Sequence, residues 1–323
     1  MGIRNTILLK DDVCAGTGKL AVYHGKESTG SHVAVVHADT VELMVLDKRG
    51  NVQQQHLLDI NELIVDKPDD IQVLWCEDQE LTLVIAHTNH LLQVIFDCST
   101  KTWKADIDKT LDQQGWITSL ASINGYIYTG SNESLWEMGS RDMPSQTKLG
   151  QFPSTVICVS AEYLAAGDEQ GGIVLFQGEP GCWTHAQRIQ EKSPNCCTSM
   201  LILEARGEHA FNTGFIRAYL LPTMECLSEV AAHIRWITQI LPVRGGFVSA
   251  AEDGFLHLWI LGKSNDPSWD MRYMNSFEMK DCMITGAAPF TDRGVLVTAY
   301  DRPQLFWLTL VGRAEEDESM EAL

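Results

Sequence analysis

Along most of the chain, short apolar runs alternate with tight polar turns, two runs to each turn. The pattern reads VAVVHADTVELMVL at 33–46, LVIAHTNHLLQVIF at 83–96, YIYTGSNESLWEM at 126–138 and YLAAGDEQGGIVLF at 163–176. It continues through a weaker HAFNTGFIRAY at 209–219, FVSAAEDGFLHLW at 247–259 and VLVTAYDRPQLFW at 295–307. No long stretch repeats its apolar residues at the helical period, so each run predicts a strand and each pair a hairpin. The turns fall at Asp39 or Thr40, Asn89 or His90, Asn132, Gln170, Thr213, Asp253 and Asp301, a spacing of about 44 residues.

A second register repeats independently. WITSL from Trp116, VICVS from Val156, CCTSM from Cys196 and WITQI from Trp236 follow one another at 40 residues, and MITGA from Met283 comes 47 later. Thr118, Thr198, Thr238 and Thr285 share the third place, where Cys158 stands in once. Seven hairpins at this period predict an all-β fold, a single seven-bladed β-propeller with about four strands per blade. The last hairpin lacks an outer strand on its carboxy-terminal side. The apolar segment IRNTILL at 3–9 is predicted to supply it, closing the ring and covering its edge. The expected domains are a propeller over 1–312 and an acidic, disordered tail over 313–323.

One unit, AAHIRWITQILPVRGGFVSAAEDGFLHLWIL at 231–261, resembles a complete WD repeat. The resemblance implies a hydrogen-bonded tetrad of His233, Ser249, Asp253 and Trp259, whose donors and acceptors match. A catalytic Ser-His-Asp reading of the same residues is set aside, because a mid-strand Ser has neither cleft nor oxyanion hole. Asp301 precedes Trp307 by six, as Asp253 precedes Trp259. Elsewhere the turns carry Asn, Gln or Thr, so packing between blades must hold those strands. SHVAVVHA at 31–38, IQVLWC at 71–76, AAHIRWITQI leading into SAAEDGFLHLW, and VTAYD at 297–301 resemble the WD repeat-containing protein 54 family. That resemblance implies a seven-bladed propeller serving as a protein-interaction scaffold without enzymatic activity. It carries over no residue role beyond the tetrad.

Composition narrows the partners. An apolar share of 45% with nine Trp supports a real core, and a net charge of -19 opposes nucleic acid or an anionic membrane. Nine scattered Cys without a C-x-x-C grid argue for reduced thiols rather than disulfides or structural zinc. With no signal-peptide pattern and no run of about 18 apolar residues, the chain is expected to be cytoplasmic, without stable membrane association. It is expected to work as a monomer or within a larger complex, without cofactor or metal. Glu315, Glu316, Asp317, Glu318 and Glu321 make the tail acidic and poor in apolar residues.

Propellers capture partners on the face bearing the loops that enter the inner strands. Trp116, Asn195, Arg235, Trp236, Asp281 and Arg302 are placed there, with Trp116, Arg235 and Trp236 as anchors for a protein or peptide. The plainer reading of the two Trp residues is packing between blades. Four other motifs have weak claims. AGTGKL at 15–20 lacks the first Gly and the Ser/Thr of a phosphate loop. HTNH at 87–90 lacks a further metal ligand. SWDMR at 268–272 resembles the box of cullin-RING ubiquitin-ligase substrate receptors, which supplies an alternative adaptor function, but Trp259 already holds the usual place. MGIRNT fits myristoylation of Gly2 without a second membrane signal. A propeller hydrolase with a channel-mouth metal is a further alternative, disfavoured because the inner-strand openings supply no carboxylates.

Overall fold

In the computed structural model the chain is an all-β propeller. The structure describes residues 2–14, 18–24, 30–62, 71–77, 81–97, 102–110, 115–139, 146–190, 195–203, 206–211, 214–263, 269–291 and 294–310. These form seven antiparallel sheets of four strands each. Taken in chain order, the first six sheets have inner strands starting at Leu20, Gln72, Ile117, Val156, Cys197 and Ile237, and the seventh starts at Ile284. Each inner strand lies against the next, and Leu20–His24 lies against Ile284–Thr291, which makes the circle complete. The only helical element among the described residues is a 3-10 turn, Ile60–Glu62.

The seventh sheet draws its outer strand from the start of the chain. Gly2–Leu8 runs antiparallel to Gln304–Thr309, pairing Ile3 with Leu308 and Ile7 with Leu305. Ile7 is buried beside Leu305 and Trp307. This pairing satisfies the outer backbone groups of Gln304–Thr309 and joins the start of the chain to the last sheet.

Apolar contacts lie between neighbouring sheets rather than in one central core. Ala34, Val36 and Leu43 of the first sheet meet Val73, Leu83 and Ile85 of the second. Val248 and Leu256 of the sixth meet Val295, Val297 and Leu308 of the seventh. Val33, Val35 and Met44 of the first meet Leu296, Leu305 and Trp307 of the seventh. The middle strands are therefore covered on both faces. This explains the continuous apolar runs, since a half-solvated strand would alternate.

The tertiary structure corrects the 40-residue register in the fourth unit. Thr118 Oγ1 donates to the Gly130 carbonyl of its own sheet and to the Ser154 carbonyl of the next. Thr155 Oγ1 does the same, to Gly167 at 3.2 Å and to Cys197 at 2.6 Å. Thr155, not Cys158, therefore holds the shared Thr place, and Pro153 rather than Val156 opens the unit. In the third and fourth units this hydroxyl ties one sheet to the next, and the short link before the fourth sheet shifts the spacing without losing the residue. Lys19 Nζ to the Ile71 carbonyl at 2.6 Å and Gln72 Nε2 to the Thr118 carbonyl at 2.8 Å make the corresponding ties earlier in the ring.

A second correction concerns Trp307. The sixth sheet pairs Ala251 and Ile237, and Ser249 and His257; the seventh pairs Ala299 and Ile284, and Val297 and Phe306. Val297 thus stands where Ser249 does, and the following turn holds one more residue than the turn around Asp253. Because strand side chains alternate between faces, that single residue turns Trp307 to the opposite side from Trp259. Trp307 packs against the first sheet, under the Arg4 guanidinium at 4.4 Å and against Phe290 at 5.0 Å. The six-residue spacing from Asp301 to Trp307 is therefore not a second tetrad.

Candidate protein-binding face

The sixth sheet supports this face through a buried polar cluster. His233 Nδ1 donates to the Asp253 carboxylate at 3.1 Å, and Nε2 accepts from the Ser249 hydroxyl at 2.8 Å. The Trp259 indole donates to Ser249 Oγ at 2.9 Å, so a neutral imidazole satisfies all three neighbours. Asp253 also accepts the backbone amides of Ile234 and Phe255, each at 3.1 Å. Burial pushes the Asp253 carboxyl upward, but bonds from His233, Phe255 and Ile234 outweigh it and hold the group below the ordinary carboxylate range. Beneath lies His257, stacked on His233 at 4.4 Å. Burial, aided by His233, lowers its imidazole to about 4, so it stays neutral at pH 7. Ser249 is fully buried, as a strut would be and a nucleophile would not.

This cluster positions the loop that leaves it. Asp253 takes the amide of Ile234, turning the chain outward. Ile234 then stands 90% exposed and Trp236 54%, with Arg235 exposed between them. The Trp236 carbonyl accepts from the Glu252 amide at 3.0 Å, tying the far end of the loop to the same turn. Burial raises the Glu252 carboxyl while Arg235 opposes the rise. Three large side chains are thereby presented on a loop fixed at both ends.

The other proposed contact residues fall around the same end of the ring. Trp116 is 69% exposed, its amide donating to Asn132 Oδ1 at 3.3 Å. Asp281 is exposed at a φ of 55°, and its carbonyl accepts from Arg302 Nη2 at 3.3 Å. Asn195 is half-buried ahead of the fifth inner strand. The two Trp residues are not packed between sheets, which removes the plainer reading. Nor do they converge, because the fourth and fifth sheets separate the third, bearing Trp116, from the sixth, bearing Trp236. Asn195, Arg235, Trp236, Asp281 and Arg302 instead occupy the consecutive fifth, sixth and seventh sheets.

Two exposed residues of this group were not singled out in the sequence. Tyr300, 48% exposed, occupies in the seventh sheet the turn position of Glu252, its amide donating to the Met283 carbonyl at 2.8 Å. Ile234 was legible in principle: a residue whose amide caps the tetrad Asp must turn away from the core.

The remaining motifs are structural in part. Lys19 of the Gly-Lys pair is buried and bonded to Ile71, while 15–17 lie outside the described residues. His87 and His90 stack face to face at 5.1 Å, which does not converge their ring nitrogens on an ion. Asp270 to Arg272 belong to the outermost strand of the sixth sheet, Trp269–Glu278, and Ser268 lies outside the described residues. Gly2 begins the ring-closing strand, with its carbonyl accepting from Thr309 at 3.2 Å. Among the described residues no three His, Cys, Asp or Glu side chains form a metal-binding group, and no helix is long and apolar enough to cross a membrane. The described Cys residues are thiols rather than disulfides.

No protein-family model matches the chain. Over 93% of its length it is 23% identical to WD repeat-containing protein 54 of Mus musculus, covering 96% of that protein. WD repeat domain 54 of Rattus norvegicus shows the same identity over the same shares. The sheets form a β-propeller, one unit of which carries the tetrad, and along most of its length the chain is similar to WD repeat-containing protein 54.

Proposed function

We propose that the chain is a seven-bladed, non-enzymatic scaffold that captures a protein or peptide on the face carrying Asn195, Arg235, Trp236, Asp281 and Arg302, with Trp116 as a separate contact across the ring. We place its propeller domain at 1–312, its acidic tail at 313–323, and the protein in the cytoplasm. One observation carries the reading. Ile234 and Trp236 are large and exposed, yet they flank an Arg on a loop clamped by Asp253 and Glu252. Exposing such groups on a held backbone reduces the ordering cost of binding, and Trp and Arg dominate interface energetics. The likeness to WD repeat-containing protein 54 supports an interaction role of this general kind.

The test is co-precipitation from cell extract with the native chain and with Arg235→Ala/Trp236→Ala. A partner retained by the native chain is expected to fall by at least about tenfold in the double variant, as for loss of a central anchor. The melting temperature should stay within about 2 °C, because both side chains are exposed. Equal recovery, or unfolding of the variant, contradicts the assignment.

A further inference from the structure

Each of the two exposed Trp residues has one neighbour directly opposite it. In the sixth sheet Ile237 faces Ala251, so the same register sets Trp236 opposite Glu252, whose amide donates to the Trp236 carbonyl at 3.0 Å. Opposed residues of antiparallel strands project to one side with their Cβ atoms about 5 Å apart, which brings an indole and a carboxylate together. In the third sheet Ile117 faces Ser131, which sets Trp116 opposite Asn132. There the neighbour is neutral, and its Oδ1 already accepts the Trp116 amide at 3.3 Å. Of the two positions, the sixth sheet alone offers a charge.

That charge is unsatisfied. The Glu252 carboxylate is half-buried and, among the described residues, accepts no hydrogen bond and forms no ion pair. Burial raises its carboxyl, and the pull of Arg235 does not cancel the rise. Arg235 itself is exposed and, among the described residues, forms no ion pair. The other nearby cations, Lys280 and Arg302, belong to the seventh sheet, where Arg302 donates to the Asp281 carbonyl and the Asp281 and Asp301 carboxylates balance the two. A carboxylate held partly out of water is stabilised by a cation that reaches it, and an indole face attracts the same cation. The net charge of -19 draws cationic partners toward the molecule and repels acidic ones.

Resting on the protein-binding reading above, we propose that the segment captured on this face is basic, and that one of its Arg or Lys side chains pairs with Glu252 against the Trp236 ring. Trp116, opposite a neutral Asn, makes no such contact.

The test is fluorescence anisotropy of a labelled peptide of alternating Arg and Ala, titrated with the full-length chain at about 0.15 M NaCl. Glu252→Gln is expected to weaken binding at least about tenfold, and Trp236→Leu to weaken it as well. Glu162→Gln removes the same charge from an exposed turn at the other end of the fourth sheet and should weaken binding less than about twofold. No binding, or equal losses at the two Glu positions, overturns the proposal, as does tighter binding of a peptide with Glu in place of Arg. The melting temperature of Glu252→Gln should not fall, since burial already opposes the charge it removes. A fall would mean that the fold itself satisfies the carboxylate, which also overturns the proposal. Co-precipitation separates the basic occupant from the face it rests on. A partner lost with Arg235→Ala/Trp236→Ala but kept with Glu252→Gln leaves the face standing and overturns the basic occupant; a partner kept by both variants overturns the face as well.

Discussion

Replacing Asp253 by Ala is expected to lower the unfolding free energy by about 3 kcal/mol, while Asp301→Ala lowers it by about 1 kcal/mol, through the positive φ of 54° at that position rather than through lost hydrogen bonds. The two residues hold matching turn positions and precede a Trp by the same interval. Their surroundings differ. Asp253 accepts from His233 and from the amides of Ile234 and Phe255, so its removal leaves a buried imidazole N–H and two backbone donors without that acceptor. Asp301 is exposed, and Trp307 lies on the other face of its sheet. Urea titrations of both variants decide the matter. Comparable losses at the two positions would mean that the seventh sheet contains a tetrad after all.

His37→Leu is expected to cost about 3 kcal/mol near pH 5.5, and His37→Leu/Glu42→Leu much less, because the second change removes the stranded carboxylate. Both ring nitrogens of His37 face acceptors: Nδ1 meets the Asp12 carbonyl at 3.0 Å and Nε2 the Glu42 carboxylate at 3.1 Å. Both must therefore carry hydrogen, which makes the ring a buried cation. Glu42 also accepts from the Lys10 amide at 2.9 Å and from Gln55, so the cluster pins the link between the ring-closing strand and the first sheet. Burial lowers the His37 imidazole, but Glu42 and the Asp12 carbonyl outweigh it and raise it above 6.5. Burial raises the Glu42 carboxyl, but His37, Lys10 and Gln55 outweigh it and lower it below 4.5. The raised imidazole stabilises fully below its unfolded value and loses that contribution as pH rises through the folded one. The lowered carboxyl stabilises fully above its unfolded value and loses that contribution as pH falls through the folded one. The difference between native and His37→Leu should thus peak between pH 4.5 and 6.5 and shrink on both sides. Chemical denaturation at pH 4, 5.5 and 8 checks the shape; a difference that does not change with pH would show that His37 acts by packing alone.

The extent to which the site was legible follows from how each residue is specified. His233, Ser249, Asp253 and Trp259 could be read together because a hydrogen-bonded group demands matching polar types at fixed intervals along adjacent strands. Tyr300 escaped because an isolated exposed apolar residue has no periodic partner. Glu137 escaped for the opposite reason. It is buried in an apolar run, and its partners, the Tyr128 hydroxyl and the Trp183 indole, include one from the neighbouring sheet.

The pattern of apolar runs and turns by itself determined that this chain is built of hairpins in a repeating unit, because solvent exclusion acts on every unit alike and leaves the same short-range imprint. It also identified the strand that covers the last edge, through the mismatch between one spare strand and one incomplete sheet. Tertiary structure alone decided the register. Thr155 rather than Cys158 bridges to the next sheet, because its hydroxyl lies within reach of the Gly167 and Cys197 carbonyls and loop lengths between units vary. One added turn residue sent Trp307 to the other face, because alternation along a strand converts a shift of one into a reversal of side. Which exposed residues share a surface was settled only by the order of the sheets around the ring, which places Trp236 beside Arg302's sheet and apart from Trp116.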